Sequence, residues 1–440
     1  MRAIDLIAKK RDRESLTTDE ITWLVEHYTQ EDVPDYQMSA FVMAVYLNGM
    51  TRKETADLTL AMARSGEQLD LSDIGDYWVD KHSSGGVGDK TTLIVLPLVA
   101  SCGVPVAKMS GRGLGMSGGT IDKLESIPGY RVDLSADEFK QLARDNGIVL
   151  SGQSLALAPA DGKIYALRDV TATVASKPLI ASSIMSKKIA AGANGIVLDV
   201  KVGRGAFMSN LDDARELAQI MVDIGADAGR DVIAILSDMN QPLGSAIGNA
   251  LEVKESVETL SGGGAADLRE HCLMIAGFML QLAGRGQRWQ DESAVRALLE
   301  EKISDGSAVA KLRQMVVAQG GDGSVIDDVT QLPAAKHRHV VTAGQRGVIH
   351  RADAENFSRA AFELGAGREK KGDPINMAVG VECHVKVGDG VEVGAPLATV
   401  HYDNAEKLQA CLHWLDTAFE IALQPCLPLP LFYEIIRSDR

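Results

Sequence analysis

Two stretches of this chain bring glycine, lysine and hydroxyl side chains together in a pattern suited to an oxyanion. The first reads Val79-Asp80-Lys81-His82-Ser83-Ser84-Gly85-Gly86-Val87-Gly88-Asp89-Lys90-Thr91-Thr92. The second reads Ala107-Lys108-Met109-Ser110-Gly111-Arg112-Gly113-Leu114-Gly115-Met116-Ser117-Gly118-Gly119-Thr120. Glycines let successive backbone N–H groups turn toward one anion, and a helix that starts after the loop adds its partially positive end. Lys81 brings a full positive charge, and the hydroxyls of Ser83, Thr92, Ser110 and Thr120 bring further donors. The chemistry this suits is the binding of inorganic phosphate or a phosphate ester. Neither loop is a G-x-x-x-x-G-K-[ST] motif, so a P-loop nucleotide site is not implied.

Loops of this kind need strands to deliver them and helices to follow them. From Tyr77 onward the pattern supplies both. Strands are expected at Tyr77–Lys81, Pro105–Met109, Ile148–Ser151, Gly195–Val202 and Val232–Ser237, separated by helical stretches such as Ala136–Asn146 and Leu211–Ala226. Short, continuously apolar strands between helices indicate a buried, mostly parallel sheet, whose ligands sit beyond the strand carboxyl ends. The first seventy residues read differently, as helices alone. Asp5 to Arg11 is amphipathic, Thr17-x-x-Glu20 and Thr51-x-x-Glu54 are capping boxes, and Pro34 opens a helix with Met38, Phe41, Val42, Val45 and Tyr46 on one face. Asp161 to Gly192 returns to helix, with Pro178 in a first turn and Ser183 and Lys187 four apart on one face. This segment rejoins the helical lobe and sets Arg168, Ser183 and Lys187 across a cleft from the glycine-rich loops.

The expected class is therefore α/β. A small discontinuous helical lobe takes residues 1–70 and 161–193, and a large α/β lobe with a mostly parallel sheet takes 71–160 and 194–335. A C-terminal α+β domain is expected at 343–440, joined through a loop around Gln331–Thr342. Its strands are expected at Gly347–His350, Ala378–Val387 and Pro396–His401.

Composition excludes several other functions. A formal charge of −15 over 440 residues argues against nucleic acid, which calls for a basic footprint. The most apolar run, Thr91 to Ala107, is broken by Pro97, Gly103 and Pro105, so no membrane span is expected. Met1 to Lys10 lacks the apolar core of a secretion signal. The five cysteines are scattered, with no C-x-x-C pair, which fits a reducing cytoplasm rather than disulfides or zinc. Against this acidic background Lys81, Arg112, Arg168 and Lys187 stand in neutral, Gly- and Ser-rich surroundings, as suits a small anionic ligand.

Several stretches, taken in order, resemble a known family. They are Asp80 to Asp89, Ser110 to Leu114 with Gly118-Gly119-Thr120-x-Asp122-Lys123-Leu124-Glu125, Tyr165 to Asp169, Ser182 to Lys188, and Asp199 to Gly203. From end to end the chain resembles the pyrimidine-nucleoside phosphorylases, a family that includes thymidine phosphorylase, and within it the bacterial enzymes of broader pyrimidine specificity. The resemblance implies that Lys81, His82, Ser83, Thr92, Lys108, Met109, Ser110 and Thr120 hold phosphate. It implies that Arg168 and Lys187 grip the polar edge of a pyrimidine with Ser183, that Tyr165 and Leu114 lie against its ring, and that His82, Arg168 and Lys187 carry the catalysis. It further implies potassium held by Gly88, Lys90, Leu243, Ala246 and Glu255, no organic cofactor, and a homodimer formed through the helical lobe. Two departures stand out. Relatives often carry threonine where this chain has Lys90, and usually histidine and threonine where it has Met116 and Ser117. Thymidine-specific phosphorolysis is one alternative. Another is an anthranilate-type phosphoribosyltransferase, which needs Mg²⁺ and an acidic pair such as Asp80 and Asp89. The third is a nucleoside-binding protein without catalysis.

Overall fold

The capping boxes form as their spacing implies. The Thr17 and Thr51 hydroxyls accept the amides of Glu20 and Glu54, whose carboxylates accept the threonine amides in return. In the computed structural model, which describes residues 1–113, 118–153, 157–370 and 372–438, they start the second and fourth of four helices: α1 (Ala3–Arg11), α2 (Thr18–Thr29), α3 (Asp35–Asn48) and α4 (Arg52–Arg64). The chain then alternates strand and helix through β1 (Val79–Ser83), α5 (Thr91–Ser101), β2 (Val106–Ser110), α6 (Thr120–Glu125), α7 (Ala136–Asn146) and β3 (Ile148–Gly152). Two helices follow, α8 (Pro159–Val170) and α9 (Lys177–Ala190), before β4 (Gly195–Val202), α10 (Leu211–Asp227), β5 (Asp231–Asp238), β6 (Ala246–Ile247), α11 (Asn249–Leu260) and α12 (Ala266–Ala283).

Ala160, Ile164 and Leu179 of α8 and α9 are buried in one cluster with Leu6, Leu24, Phe41, Val45 and Leu58 of the first four helices. The helical lobe is thus built from two separate stretches of chain. Further along α9, Ala181, Met185 and Ile189 belong instead to the core beneath the sheet. One helix therefore serves both lobes.

The main sheet has strand order β13-β5-β4-β1-β2-β3, where β13 is Phe432–Arg437. All its pairs are parallel except β13 on β5. Successive side chains go to opposite faces, so Val197 joins the core containing α5 and α12 while Ile196 and Leu198 join the core containing α9 and α10. The register sets His82 beside Leu198, Ser83 beside Asp199, and Ser110 beside Gly152. Parallel pairing brings the carboxyl ends of β1, β2, β3 and β4 to one edge, where both glycine-rich loops leave the sheet.

The C-terminal unit holds β7 (His337–Thr342), β8 (Gly347–Ala352), β9 (Gly380–Cys383), β10 (Gly390–Val391), β11 (Pro396–Tyr402) and β12 (Phe419–Ala422) in two small sheets. Its limits differ from those expected on two counts. Residues 337–342, expected as linker, form β7 and pair with β11. That strand is largely exposed and its two valines are adjacent, one on each face, so it lacks the apolar alternation that marks a half-buried strand. The end of the chain, expected in the C-terminal domain, leaves it to form β13 on the main sheet. Its Ile436 is 8 % exposed and packs in the same core as α9 and α10. Ile436→Ala is expected to cost about 2 kcal/mol, seen as a lower denaturant midpoint for the α/β lobe. An unchanged midpoint would mean that the tail rests on the sheet without holding it.

Candidate active site

The site is built around β1, whose residues alternate between the two faces of the sheet. Asp80 is buried, with one carboxylate oxygen 2.6 Å from Lys188 Nζ on α9 and the other 3.5 Å from Lys108 Nζ on β2. Lys108 also donates to the Lys81 carbonyl at 2.5 Å, and Lys188 to the Met109 carbonyl at 3.3 Å. Burial pushes the Asp80 carboxyl up, but Lys108 and Lys188 outweigh burial and hold it below its ordinary value. Toward the other face, Lys81 donates to the Thr91 hydroxyl, which donates to Asp89 at 2.6 Å, and the Ser83 hydroxyl donates to the second oxygen of Asp89. Burial again opposes ionisation, and Lys81 and Lys201 again overcome it, keeping Asp89 well below the usual carboxylate range. Deeper still, Asp199 contacts Lys201 at 2.7 Å, His271 at 2.8 Å and the Ser237 hydroxyl at 2.6 Å.

His82 ends up half-buried on this floor. Its pKa lies well below the ordinary value, first through desolvation and then through Lys188, Lys108, Lys187 and Lys81. Lys108 is also pushed well down, by burial and by Lys188 and Lys81, against the pull of Asp80. Both shifts share two causes in the same order, burial first and the neighbouring lysine charges second. The other expected phosphate residues border it. Thr92 is buried in the first turn of α5, Met109 is buried near the end of β2, Ser110 is the last residue of β2, and Thr120 opens α6, half-buried.

Opposite lies a smaller polar group. Lys187 Nζ is 2.5 Å from Asp161 and donates to the Ser183 hydroxyl at 2.9 Å, with its side chain 24 % exposed. Adjacent residues on a helix point about 100° apart, so Lys187 faces this group while Lys188 reaches the sheet. Arg168 lies near enough to feel the charge of Asp161, but its guanidinium is turned toward main-chain carbonyls. Its guanidinium donates to the carbonyls of Val174 at 2.6 Å, Leu179 at 3.0 Å and Thr173 at 3.4 Å. The reason is local. The six-residue link between α8 and α9 carries carbonyls without helical partners, and a buried guanidinium satisfies them. Tyr165, 43 % exposed, lies with its ring centroid 5.8 Å from the Arg168 guanidinium carbon. Leu114, Met116 and Ser117 fall outside the described residues.

Comparison with known proteins accounts for most of the chain. Residues 4–66 match the helical bundle domain of a glycosyl transferase family, residues 75–309 match its a/b domain, and residues 348–422 match a pyrimidine nucleoside phosphorylase C-terminal domain. A pyrimidine-nucleoside phosphorylase of Geobacillus stearothermophilus is 53 % identical over 436 residues, which is 99 % of this chain and 100 % of that one. One from Bacillus subtilis (strain 168) is 51 % identical over 428 residues, covering 97 % and 98 %. The chain belongs to the pyrimidine-nucleoside phosphorylases. The anthranilate phosphoribosyltransferase of Thermus thermophilus shares the fold, with TM-score 0.59 at 18 % identity over 72 % of this chain and 99 % of that one.

Within this phosphorylase chain the residues expected to hold potassium do converge, with one difference. The Lys90 ammonium itself sits on the Leu243 and Ala246 carbonyls, at 3.2 and 3.0 Å, and on Glu255 at 2.6 Å. Burial pulls its pKa down, but Glu255 and Glu252 raise it above the ordinary value, so it is charged. The expected set of Gly88, Lys90, Leu243, Ala246 and Glu255 therefore does not fit a potassium ion here, because the lysine's own charge fills the place.

Sequence reading also passed over contributors to the phosphorylase site. Lys188 was assigned no role there, although a helix lying across a sheet must turn one of two adjacent residues inward. Lys123 is 3.2 Å from Glu252, and Arg368 of the C-terminal unit reaches Asp122 at 2.5 Å, tying the second loop to two other elements. Only contacts distant in sequence reveal these pairs.

Lys188→Met is expected to cost about 3–5 kcal/mol, since it strips Asp80 of its nearer partner. Lys187→Met, at a partly exposed position, is expected to leave the unfolding midpoint nearly unchanged. Because His82 has a folded pKa below its unfolded value of about 6.5, the unfolded chain binds more protons in acid, and His82 works against folding as pH falls below that value. Phosphate should shrink this loss by returning negative charge to the floor. Denaturant midpoints from about pH 8 down to 5, with and without phosphate, check both signs.

Proposed function

We propose that this chain catalyses the reversible phosphorolysis of pyrimidine nucleosides, yielding free base and (deoxy)ribose 1-phosphate, with uridine, thymidine and deoxyuridine as substrates. The observation that carries the reading is the under-neutralised floor of Lys81, Lys108 and His82, which faces the Ser183–Lys187–Asp161 group. A phosphate dianion supplies the missing charge on the floor. Lys81 and Lys108 attract it, and the hydroxyls of Ser83, Thr92, Ser110 and Thr120 orient it.

Phosphate oxygen then attacks C1′ from the face opposite the base. As the C1′–N1 bond breaks, its electron pair moves onto the base, whose carbonyl oxygens take up the charge. Lys187, positioned by Asp161, stabilises that growing charge, and one well-placed donor is typically worth about 3–4 kcal/mol in the transition state. His82 is neutral before phosphate arrives. The dianion offsets the four ammonium groups that depress its pKa, so phosphate binding readies the imidazole to donate toward the departing base. No side-chain nucleophile is needed, and alignment of two bound reactants supplies much of the rate. Arg168 braces the turn from which α9 presents Ser183 and Lys187, and its remaining N–H donors join Lys187 in gripping the polar edge of the base.

Asp80 and Asp89 spend their charge on Lys108, Lys188, Lys81 and the neighbouring hydroxyls, so this acidic pair is not free to hold Mg²⁺ for a phosphoribosyl transfer. A homodimer through the helical lobe is supported by Tyr36, Met43 and Leu47, spaced along one face of α3 and exposed, the first and last at 74 % and 71 %. A cytoplasmic site of action is supported by five free cysteines.

The test is base release from each of the three nucleosides, followed by absorbance. Cleavage is expected with phosphate or arsenate and without Mg²⁺. His82→Ala and Lys187→Ala are each expected to lower kcat/KM by about 10²–10³-fold in a folded protein. Cleavage confined to the deoxynucleosides would narrow the substrate class. Nucleoside binding without release would overturn the catalytic reading.

A further inference from the structure

We propose that Lys90 is a built-in monovalent cation, and that this chain neither binds nor needs potassium at the site formed by Gly88, Leu243, Ala246 and Glu255. An ammonium carries three N–H donors and accepts nothing. All three donors of Lys90 are matched: the Leu243 carbonyl at 3.2 Å, the Ala246 carbonyl at 3.0 Å and Glu255 Oε2 at 2.6 Å. The side chain is wholly buried and Glu255 nearly so. Ammonium and potassium carry the same charge and occupy similar space, so one oxygen cage takes either ion but not both.

The cage is shaped for close approach. Gly88 lies at φ +71°, and a Cβ there would meet the Leu243 carbonyl oxygen at 2.5 Å. Gly244 lies at φ +68°, and a Cβ there would come within 3.0 Å of Glu255 Oε2 and of Lys90 Nζ. Glu255 is fixed independently, because its oxygens accept the Ser245 amide at 2.7 Å and the Ala246 amide at 2.8 Å. Removing the ammonium would leave two carbonyls and a buried carboxylate around a hole of cation size.

The contact also has a mechanical consequence. Lys90 directly precedes α5, whose first turn carries Thr91 and Thr92, and it ties the first glycine-rich loop to residues 243–246. That segment is held from its other side by Lys386 of the C-terminal unit, which donates to the Pro242 carbonyl at 2.6 Å and the Gly244 carbonyl at 2.8 Å. A dissociable ion at position 90 would make this tie depend on the salt present. A lysine makes it permanent.

The test compares wild type with Lys90→Thr in chloride salts of potassium and tetramethylammonium at equal ionic strength. It reads thermal midpoint, Tl⁺ binding by ²⁰⁵Tl NMR, and phosphorolysis. Wild type is expected to bind no Tl⁺ and to show the same midpoint and rate in both salts. Lys90→Thr is expected to gain a Tl⁺ site, a midpoint that climbs with KCl toward saturation as ligand-linked stabilisation does, and a rate that recovers in potassium. Stoichiometric Tl⁺ binding by wild type, or its stabilisation by potassium over tetramethylammonium, would overturn the proposal. So would a folded Lys90→Thr with no Tl⁺ site. If that variant fails to fold, the wild-type Tl⁺ measurement decides alone. Tl⁺ binding and melting need no turnover, so failure of this inference is distinguishable from failure of the phosphorylase reading.

Discussion

The buried carboxylate of Asp80, held between Lys108 and Lys188, is the contact on which the rest of the site depends. It joins β1 to β2 and both to α9, which packs into the helical lobe at one end and against the sheet at the other. A lone charge at that depth would be costly, so neither lysine can withdraw without exposing Asp80 to the full penalty of burial. The contact therefore sets where α9 crosses the sheet edge. From that crossing follows the position of Ser183 and Lys187 relative to the glycine-rich loops.

Charge balance explains why this region is more than a structural joint. The carboxylates around β1 are each matched, yet His82 and Lys108 remain disfavoured in their charged forms, first because they are buried and then because neighbouring lysines add positive charge beyond what Asp80, Asp89 and Asp199 offset. A fold selected only for stability would remove such an excess, since burying unmatched charge opposes folding. An anionic ligand that arrives with its own charge resolves the excess and draws binding energy from it. The same arrival would offset the lysine charges that, after burial, depress the pKa of His82, which links occupancy of one substrate position to readiness at the other.

Much of this plan was legible from residue types. Strands, capping boxes, lobe alternation and the two loops follow from local rules of period, turn chemistry and helix capping; the five expected strands of the main sheet lie within two residues of where periodicity sets their ends, whereas the strand expected at Ala378–Val387 is only Gly380–Cys383. The discontinuous lobe was legible because Asp161 to Gly192 breaks the strand alternation. What stayed hidden depends on partners far away in sequence. Strand β7 lacks apolar alternation and is recognised through its pairing with β11, and β13 lies some two hundred residues from the strand it pairs with. Arg168 shows the same limit within a motif. Its identity fits a base-gripping fork, but that the carbonyls of residues 173, 174 and 179 take three of its five donors is visible only in the fold.

Two kinds of buried lysine can be told apart in this molecule, and the distinction bears on function. Lys10 is paired with Glu54 at 2.8 Å, and Lys90 has two carbonyls and a carboxylate to itself, with Glu252 nearby. Lys10 is neutralised by its carboxylate and Lys90 is saturated, and each fastens one element to another. Lys108 has a carbonyl at 2.5 Å and a carboxylate only at 3.5 Å, and it competes with Lys188 for that same Asp80. A lysine short of oxygen partners is poised for an anion that the protein does not itself supply. By this criterion Lys90 was misassigned by motif position alone. It falls among residues that would ligate an ion, yet its full set of partners makes it the substitute for one, and only the placement of its ammonium among those oxygens separates the two roles.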